Sequence, residues 1–249
     1  MKMPDFKRGI LFLRTMVTLG VFTAILGTIG VVLAALDKTG RAIYVIGRIW
    51  SRLLFLTNGV KLRTYGLENV IKRKSYVFIS NHQSHLDICA VLLALRTPVK
   101  FVYKKSLANL PIFGQALQLA KMIPVDRSDT RKAIESINRS VRELKNGISA
   151  FFFGEGTRTR DGMLQPFKKG GVMFSVGTGL PIMPVTVVNS FSLLPKGSLH
   201  IKGGTIRIIF DKEIPSVGYT AENAGILLDK VRNVIAENIR RYDAEPARP

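Results

Sequence analysis

The sequence predicts an α/β fold in which a mostly buried central sheet is flanked by helices and preceded by an N-terminal membrane-associated helical pair. Three observations carry that expectation. From residue 61 onward, short apolar runs of strand length alternate with longer amphipathic stretches, the pattern of a sheet covered by helices. Ahead of them lies an uncharged run over residues 15–36, long enough as a helix to cross a hydrocarbon core of about 30 Å. The 249 residues, 47% of them hydrophobic, suffice for one substantial core. The expected division is an anchoring segment over 1–60 and one α/β domain over 61–249.

The first segment opens with Lys2, Lys7, Arg8 and Arg14, and its apolar run ends at Asp37-Lys38. A removable signal peptide has a similar layout, with Gly27, Ala34 and Ala35 as small residues for cleavage, although this run is long for one. A soluble helical subdomain that buries 15–36 against the body is a further alternative. Residues 42–60 are apolar but carry Arg48 and Arg52 one helical turn apart, with Tyr44, Trp50 and Phe55 nearby. That mixture suits a membrane interface, where arginines reach lipid phosphates and aromatic rings sit at headgroup level. Together the two segments predict a helix hairpin that enters one leaflet and returns, keeping the basic tail and the basic body on one side.

Strands are expected at 76–80, 99–103, 122–125, 149–153, 182–188 and 205–210, with helices between them. The clearest helix covers 129–145, capped by Ser128 or Asp129, striped by Ala133, Ile134, Ile137, Val141 and Leu144, and stopped by Gly147. A last helix over 220–241 spaces Leu228, Val231, Ile235 and Ile239 so that they face inward together. No repeat or internal linker interrupts the domain. A single cysteine, Cys89, excludes an intramolecular disulfide. The formal charge of +20, from 37 basic and 17 acidic residues, points to an anionic partner. The basic residues are spread through the chain without a basic and aromatic stripe, which argues against nucleic acid.

Chemistry concentrates in Asn81-His82-Gln83-Ser84-His85-Leu86-Asp87, a corner between the strand at 76–80 and an apolar run beginning at Ile88. His82 and Asp87 are near enough for the carboxylate to hold one imidazole nitrogen while the other takes a proton from a substrate hydroxyl. Rival readings exist. Ser84 and Asp87 have the spacing of a helix cap, so Asp87 could be structural. His82, His85 and Asp87 could bind a metal, although the only other histidine is His200 and the only cysteine Cys89. His85 could also replace His82 as the base.

A second corner follows the strand at 149–153 and reads Gly154-Glu155-Gly156-Thr157-Arg158. Its glycines let backbone approach a ligand, and Arg158 can grip a phosphate through paired N–H donors. Glu155 could orient that arginine or bind a glycerol hydroxyl. The spacing is not that of a P-loop, and a plain strand exit with a surface ion pair is the bland alternative. Lys104, Lys105, Arg127 and the pair Lys168-Lys169 also stand at ends of predicted strands. In an open α/β sheet ligands gather beyond the carboxyl ends of strands, so these cations could converge with His82.

With these residues assembled, the chain resembles the glycerolipid acyltransferase family, in particular its bacterial 1-acyl-sn-glycerol-3-phosphate acyltransferases. Four blocks carry the resemblance in order: Asn81-His82 through Asp87, Val125-Asp126-Arg127, Gly154-Glu155-Gly156-Thr157-Arg158, and Pro181-Ile182-Met183-Pro184-Val185. Lys104-Lys105-Ser106-Leu107 with Pro111-Ile112-Phe113-Gly114 is similar to the family's lysine segment, and the likeness extends over 62–210. The resemblance implies that His82 deprotonates the substrate hydroxyl, that Asp87 orients His82, and that the hydroxyl attacks an acyl thioester without an acyl-enzyme. It implies a glycerol-phosphate site made of Arg127, Glu155, Gly156, Thr157, Arg158 and Lys104 or Lys105.

The implied reaction acylates the sn-2 hydroxyl of 1-acyl-glycerol 3-phosphate to phosphatidic acid. Glycerol 3-phosphate or another lysolipid is the alternative acceptor, and noncatalytic binding of anionic lipid the alternative of another class. No metal and no cofactor are expected; acyl-CoA or acyl carrier protein enters as thioester co-substrate. The expected partners are lysophosphatidic acid and membrane phospholipid, and the expected location is the inner (cytoplasmic) membrane with the site facing the cytoplasm. Two positions depart from the family pattern: Gly154 stands where proline is usual, and Ser106 where an acidic residue is frequent.

Overall fold

Seven strands form one sheet in the order β1-β7-β6-β2-β5-β3-β4 in the computed structural model, which describes residues 5–37, 39–95, 97–111, 113–125, 144 and 147–243. The strands are β1 (Val60–Tyr65), β2 (Val77–Ser80), β3 (Val99–Lys104), β4 (Ile123–Val125), β5 (Ser149–Phe153), β6 (Ile182–Val188) and β7 (Gly204–Phe210). Neighbours are parallel except β6 and β7, which run antiparallel. The six predicted strands are all present within one residue at each end. They are joined by β1, an edge strand whose residues Lys61, Leu62, Arg63 and Thr64 mix charged, apolar and polar side chains and so lack the continuous apolar signature of a buried strand.

Helices cover both faces of the sheet. In chain order they are α1 (Asp5–Leu36), α2 (Arg41–Thr57), α3 (Leu86–Ala94), α4 (Phe113–Leu119), α5 (Gly170–Thr178), α6 (Ser190–Leu193) and α7 (Ala224–Asp243). The two-residue period of each strand divides the core. Phe78, Phe101, Phe151, Met183, Val185 and Val187 point to one side, where they meet α2 and α3. Val77, Ile79, Phe152 and Ile182 point to the other, against Val172 and Phe174 of α5 and Ala224, Leu227, Val231 and Ile235 of α7. Fully burying a ring such as Phe78 or Phe151 contributes about 1.5–3 kcal/mol, so central β2 and β5 are the best anchored part of the chain. The inward stripe of α7 runs through Leu227, which is fully buried, while Leu228 and Ile239 lie at its margin. The helix expected over 129–145 lies outside the described residues apart from Leu144, which is buried.

The N-terminal pair forms a hairpin fastened to the body at both ends. Near its start, Arg14 donates to Asn58 Oδ1 at 3.3 Å and to the Ile201 carbonyl at 3.3 Å, and Thr15 accepts the Ile201 N–H at 3.1 Å. At the turn, Gly40 adopts φ +78° and sits so close to Leu119 that a Cβ there would lie 3.0 Å from its carbonyl oxygen. Along its length α2 buries Tyr44, Ser51, Leu54 and Phe55.

The two arginines of α2 part company. Arg48 turns inward and, with Tyr44, donates to the Leu95 carbonyl just past the end of α3, where a cation also meets the negative end of the helix. It therefore does not reach for lipid phosphates. Trp50 likewise turns to the hairpin partner, donating to Thr23 of α1 at 3.2 Å. Arg52 is exposed among Val45, Ile49 and Leu56.

Gly9–Ala34 is long and apolar enough to cross a membrane, and only 11% of its most apolar stretch is buried. Leu13, Val17, Val21, Ile25 and Val32 form an outward stripe, so α1 is not a buried core helix.

Candidate active site

β2 and β5 lie side by side, with Ser80 paired to Phe153, and the Gly154 N–H extends the ladder to the Ser80 carbonyl at 2.8 Å. The two sequence corners therefore leave the sheet together at its carboxyl edge. Asn81 anchors the first of them. Its side-chain amide donates to the Val187 carbonyl and accepts the Val187 N–H, both at 2.8 Å, replacing a rung of backbone ladder with β6.

His82 lands on the Phe78 and Phe151 side of the sheet, where its ring stacks on Phe153 with centroids 3.8 Å apart and planes 16° from parallel. Its Nδ1 lies 2.8 Å from Oδ2 of Asp87, which is fully buried. The same oxygen accepts the Gln83 N–H at 2.7 Å and the Ser84 N–H at 2.9 Å. Helix capping and imidazole orientation are thus combined in one carboxylate. With Nδ1–H donating to Asp87, Nε2 keeps its lone pair and can accept a proton. Among the described residues no carboxylate is hydrogen-bonded to His85; desolvation, then Arg158 and His82, push its imidazole below the usual range, against the opposing pull of Asp87.

The serines flanking His82 are bound elsewhere. Ser80 donates to the Asn81 carbonyl at 3.0 Å and Ser84 to the Leu194 carbonyl at 2.8 Å, so neither is hydrogen-bonded to the imidazole. Cys89 is buried within α3, and burial pushes its thiol up to about 12. Among the described residues, no three His, Cys, Asp or Glu side chains converge as a metal site.

The second corner braces the first. Glu155, 4% exposed, turns inward and accepts the His82 N–H at 3.0 Å, where the sequence had suggested contact with Arg158 or a glycerol hydroxyl. Burial pushes its carboxyl up to about 7, opposed by that hydrogen bond. Thr159 completes the brace by donating its N–H to the His82 carbonyl at 2.9 Å. Gly156 has φ +71°, a conformation that favours glycine, and Lys168 packs directly over it. Gly154 is explained by Phe167: a Cβ at this position would lie 2.5 Å from the phenyl ring, so glycine in place of the usual proline lets that ring close over the turn.

Beyond the glycines, Thr157 is exposed and Arg158 half-buried. Burial lowers the basicity of the Arg158 guanidinium while Asp87 raises it, and the same guanidinium acts electrostatically on His85. Lys104 and Lys105 are exposed at the carboxyl end of β3, on the same sheet edge, with no hydrogen bond to the His82 group among the described residues. Arg127 lies outside the described residues. Sequence reasoning missed Phe153 and Thr159 as supports of this edge and gave Asn81 no role beyond its place in the motif. The two-residue period from Phe151 was a signal for Phe153; Asn81 and Thr159 act through Val187 and the His82 carbonyl, partners that only the tertiary fold brings near.

Residues 61–188, just over half of the chain, match the family model described as Acyltransferase. The chain is 35% identical over 198 residues to the 1-acyl-sn-glycerol-3-phosphate acyltransferase BAT2, chloroplastic, of Brassica napus, covering 79% of this chain and 56% of that protein. It is 31% identical over 232 residues to the 1-acyl-sn-glycerol-3-phosphate acyltransferase of Saccharomyces cerevisiae, covering 92% and 74%. Against the Brassica and Arabidopsis thaliana relatives the chain spans little more than half their length. Its fold is like that of the 1-acyl-sn-glycerophosphate (LPA) acyltransferase PlsC from Thermotoga maritima, with a TM-score of 0.83, 23% identity, and coverage of 99% of this chain and 100% of that one.

Proposed function

The chain belongs to the acyltransferase family, and on that premise we propose that it transfers an acyl chain from a thioester to the sn-2 hydroxyl of 1-acyl-glycerol 3-phosphate, forming phosphatidic acid. The observation that carries the reading is His82 Nδ1 held 2.8 Å from the buried Asp87 carboxylate, which leaves Nε2 to face a hydroxyl beside the glycine-rich turn. Nε2 takes the hydroxyl proton as the oxygen attacks the thioester carbonyl carbon. Asp87 stabilises the imidazolium that forms. The tetrahedral intermediate collapses, the C–S bond breaks, and the imidazolium returns its proton to the departing thiolate. No acyl-enzyme is needed, in keeping with Ser80, Ser84 and Cys89 being committed or buried. The donor is acyl-CoA or acyl carrier protein.

In this reading Arg158, Thr157 and the Gly156 backbone hold the acceptor phosphate, with Lys104 or Lys105 and Arg127 completing the cationic edge. Glu155 serves through the His82 backbone. Docking the phosphate leaves the hydroxyl about 3 Å from the imidazole, and such orientation supplies much of the rate. Arg158→Ala is expected to raise KM for lysophosphatidic acid about 10–100-fold, the value of a charge-assisted hydrogen bond, with a much smaller change in kcat. An unchanged KM in steady-state assays removes Arg158 from the phosphate site. An acceptor panel with glycerol 3-phosphate and other lysolipids tests the acceptor itself: preference for either one overturns the assignment to lysophosphatidic acid.

Membrane association follows from the α1 stripe together with Val45, Ile49 and Leu56 of α2. Because the hairpin lies along the body and is fastened at both ends, it enters one leaflet from the side, with Arg52 at the phosphates and the site facing the cytoplasm at the inner membrane. The combined variant Val17→Asp, Val21→Asp and Ile25→Asp removes three outward-facing side chains. It is expected to weaken vesicle binding at least about a hundredfold without lowering the melting temperature. Flotation of the folded variant at the wild-type level contradicts this placement.

A further inference from the structure

Lys196 belongs to none of the four motif blocks, yet it reaches into the one that carries Arg158. Its Nζ donates to Thr157 Oγ1 at 3.3 Å and to the Arg158 carbonyl at 3.2 Å. The segment that carries it fastens the whole edge from the β6 side: Val187 holds the Asn81 amide, the Leu194 carbonyl holds Ser84, and Lys196 holds the glycine-rich turn. A lysine ammonium has three N–H donors, of which these contacts employ two. The third can serve a ligand that also touches the Thr157 hydroxyl.

Charge explains why a cation at this place is informative. Lys196, Arg158 and Lys168 surround a single turn, Lys168 by packing over Gly156. Bringing like charges together costs energy, which an anion bound between them offsets. The acid within the turn, Glu155, is directed at the His82 backbone, and the next one along the loop, Asp161, is bonded to Thr159 and Met163. Neither carboxylate is a hydrogen-bond partner of Lys196 among the described residues. The anion that fits this setting is a phosphate monoester dianion brought by the acceptor.

We infer that Lys196 is a further positioning residue of the acceptor-phosphate site: it holds the Thr157-Arg158 backbone so that the guanidinium is presented to the phosphate, and adds a second fixed positive charge beside it. The inference rests on the reading of Arg158 given above. In the purified full-length enzyme, Lys196→Met is expected to raise KM for lysophosphatidic acid about tenfold, with kcat within about twofold and KM for the thioester unchanged. Lys196→Arg is expected to recover to within about threefold of wild type, since it keeps the charge and a donor.

A double-mutant cycle separates this role from general support of the fold. If Lys196 acts in part through Arg158, Lys196→Met raises KM only about threefold in an Arg158→Ala background, the share of its own charge, against about tenfold in the wild-type background. A tenfold rise in both backgrounds, or equal losses with both substrates, overturns the inference, as does a wild-type KM in active Lys196→Met. Should Lys196→Met fail to fold, Lys196→Gln, which keeps an N–H donor without the charge, is measured in its place; a rise of about threefold or more in acceptor KM supports the role and no rise overturns it. Wild-type enzyme that leaves lysophosphatidic acid unacylated overturns the functional reading itself, and this inference with it.

Discussion

His82→Ala is expected to lower kcat for acyl transfer by about 10²–10⁴-fold, the contribution typical of a positioned general base. The geometry makes this a clean test, because the scaffold around His82 is built on its backbone. Glu155 accepts its N–H and Thr159 donates to its carbonyl, and alanine retains both groups. What alanine removes is the imidazole with its bond to Asp87 and its stacking on Phe153. The protein should therefore melt as a folded domain and bind vesicles like wild type while turnover is lost. Single-turnover acyl transfer measures the effect, and a folded His82→Ala variant with near wild-type kcat removes His82 as the base.

The second large effect concerns Asp87, where two substitutions separate two duties. Asp87→Asn keeps the size of the side chain and one oxygen able to accept the Gln83 and Ser84 N–H groups, so the start of α3 survives. The charge that stabilises the imidazolium is gone, and an amide NH₂ is left in a fully buried position. A fall in kcat of about 10³-fold or more is expected, with a small change in melting temperature. Asp87→Ala loses the cap as well, and should be less stable than Asp87→Asn by about 1 kcal/mol or more. Denaturant unfolding of the two variants measures that difference. Equal stability would mean that the two backbone hydrogen bonds contribute little; high activity in Asp87→Asn would mean that orientation without charge suffices.

Much of this architecture was legible in residue pattern because the central strands are buried on both faces. Runs such as Phe151-Phe152-Phe153 and Ile182-Met183-Pro184-Val185 leave little room for another reading, and the approach of Asp87 to His82 follows from their spacing across a strand-to-helix corner. The edge strand β1 was not legible, since its solvent-facing residues carry charge and its pairing with β7 joins segments some 140 positions apart. The antiparallel setting of β7 was equally hidden, because strand direction is decided by the path of the connection between β6 and β7 and not by the strand residues.

The site divides in the same way. His82, Asp87, Gly156 and Arg158 are carried by local motifs. The inward turn of Glu155 depends on a backbone N–H from a different loop. Arg48 and Arg52 show the limit of periodicity most clearly: one turn apart on α2, they are separated by the Leu95 carbonyl, an acceptor that only the tertiary fold supplies. Gly154 could not be understood until Phe167 was seen over it.

The central claim is that a substrate hydroxyl, activated by His82, attacks the thioester directly. Acyl transfer from a radiolabelled acyl thioester to lysophosphatidic acid in detergent micelles, wild type beside His82→Ala, tests it most directly. The account predicts labelled phosphatidic acid from the wild type at a rate at least about a hundredfold above the variant, and no label retained on either protein after denaturation. Labelled enzyme that transfers its acyl group on addition of acceptor, or phosphatidic acid formed equally by both proteins, would contradict it.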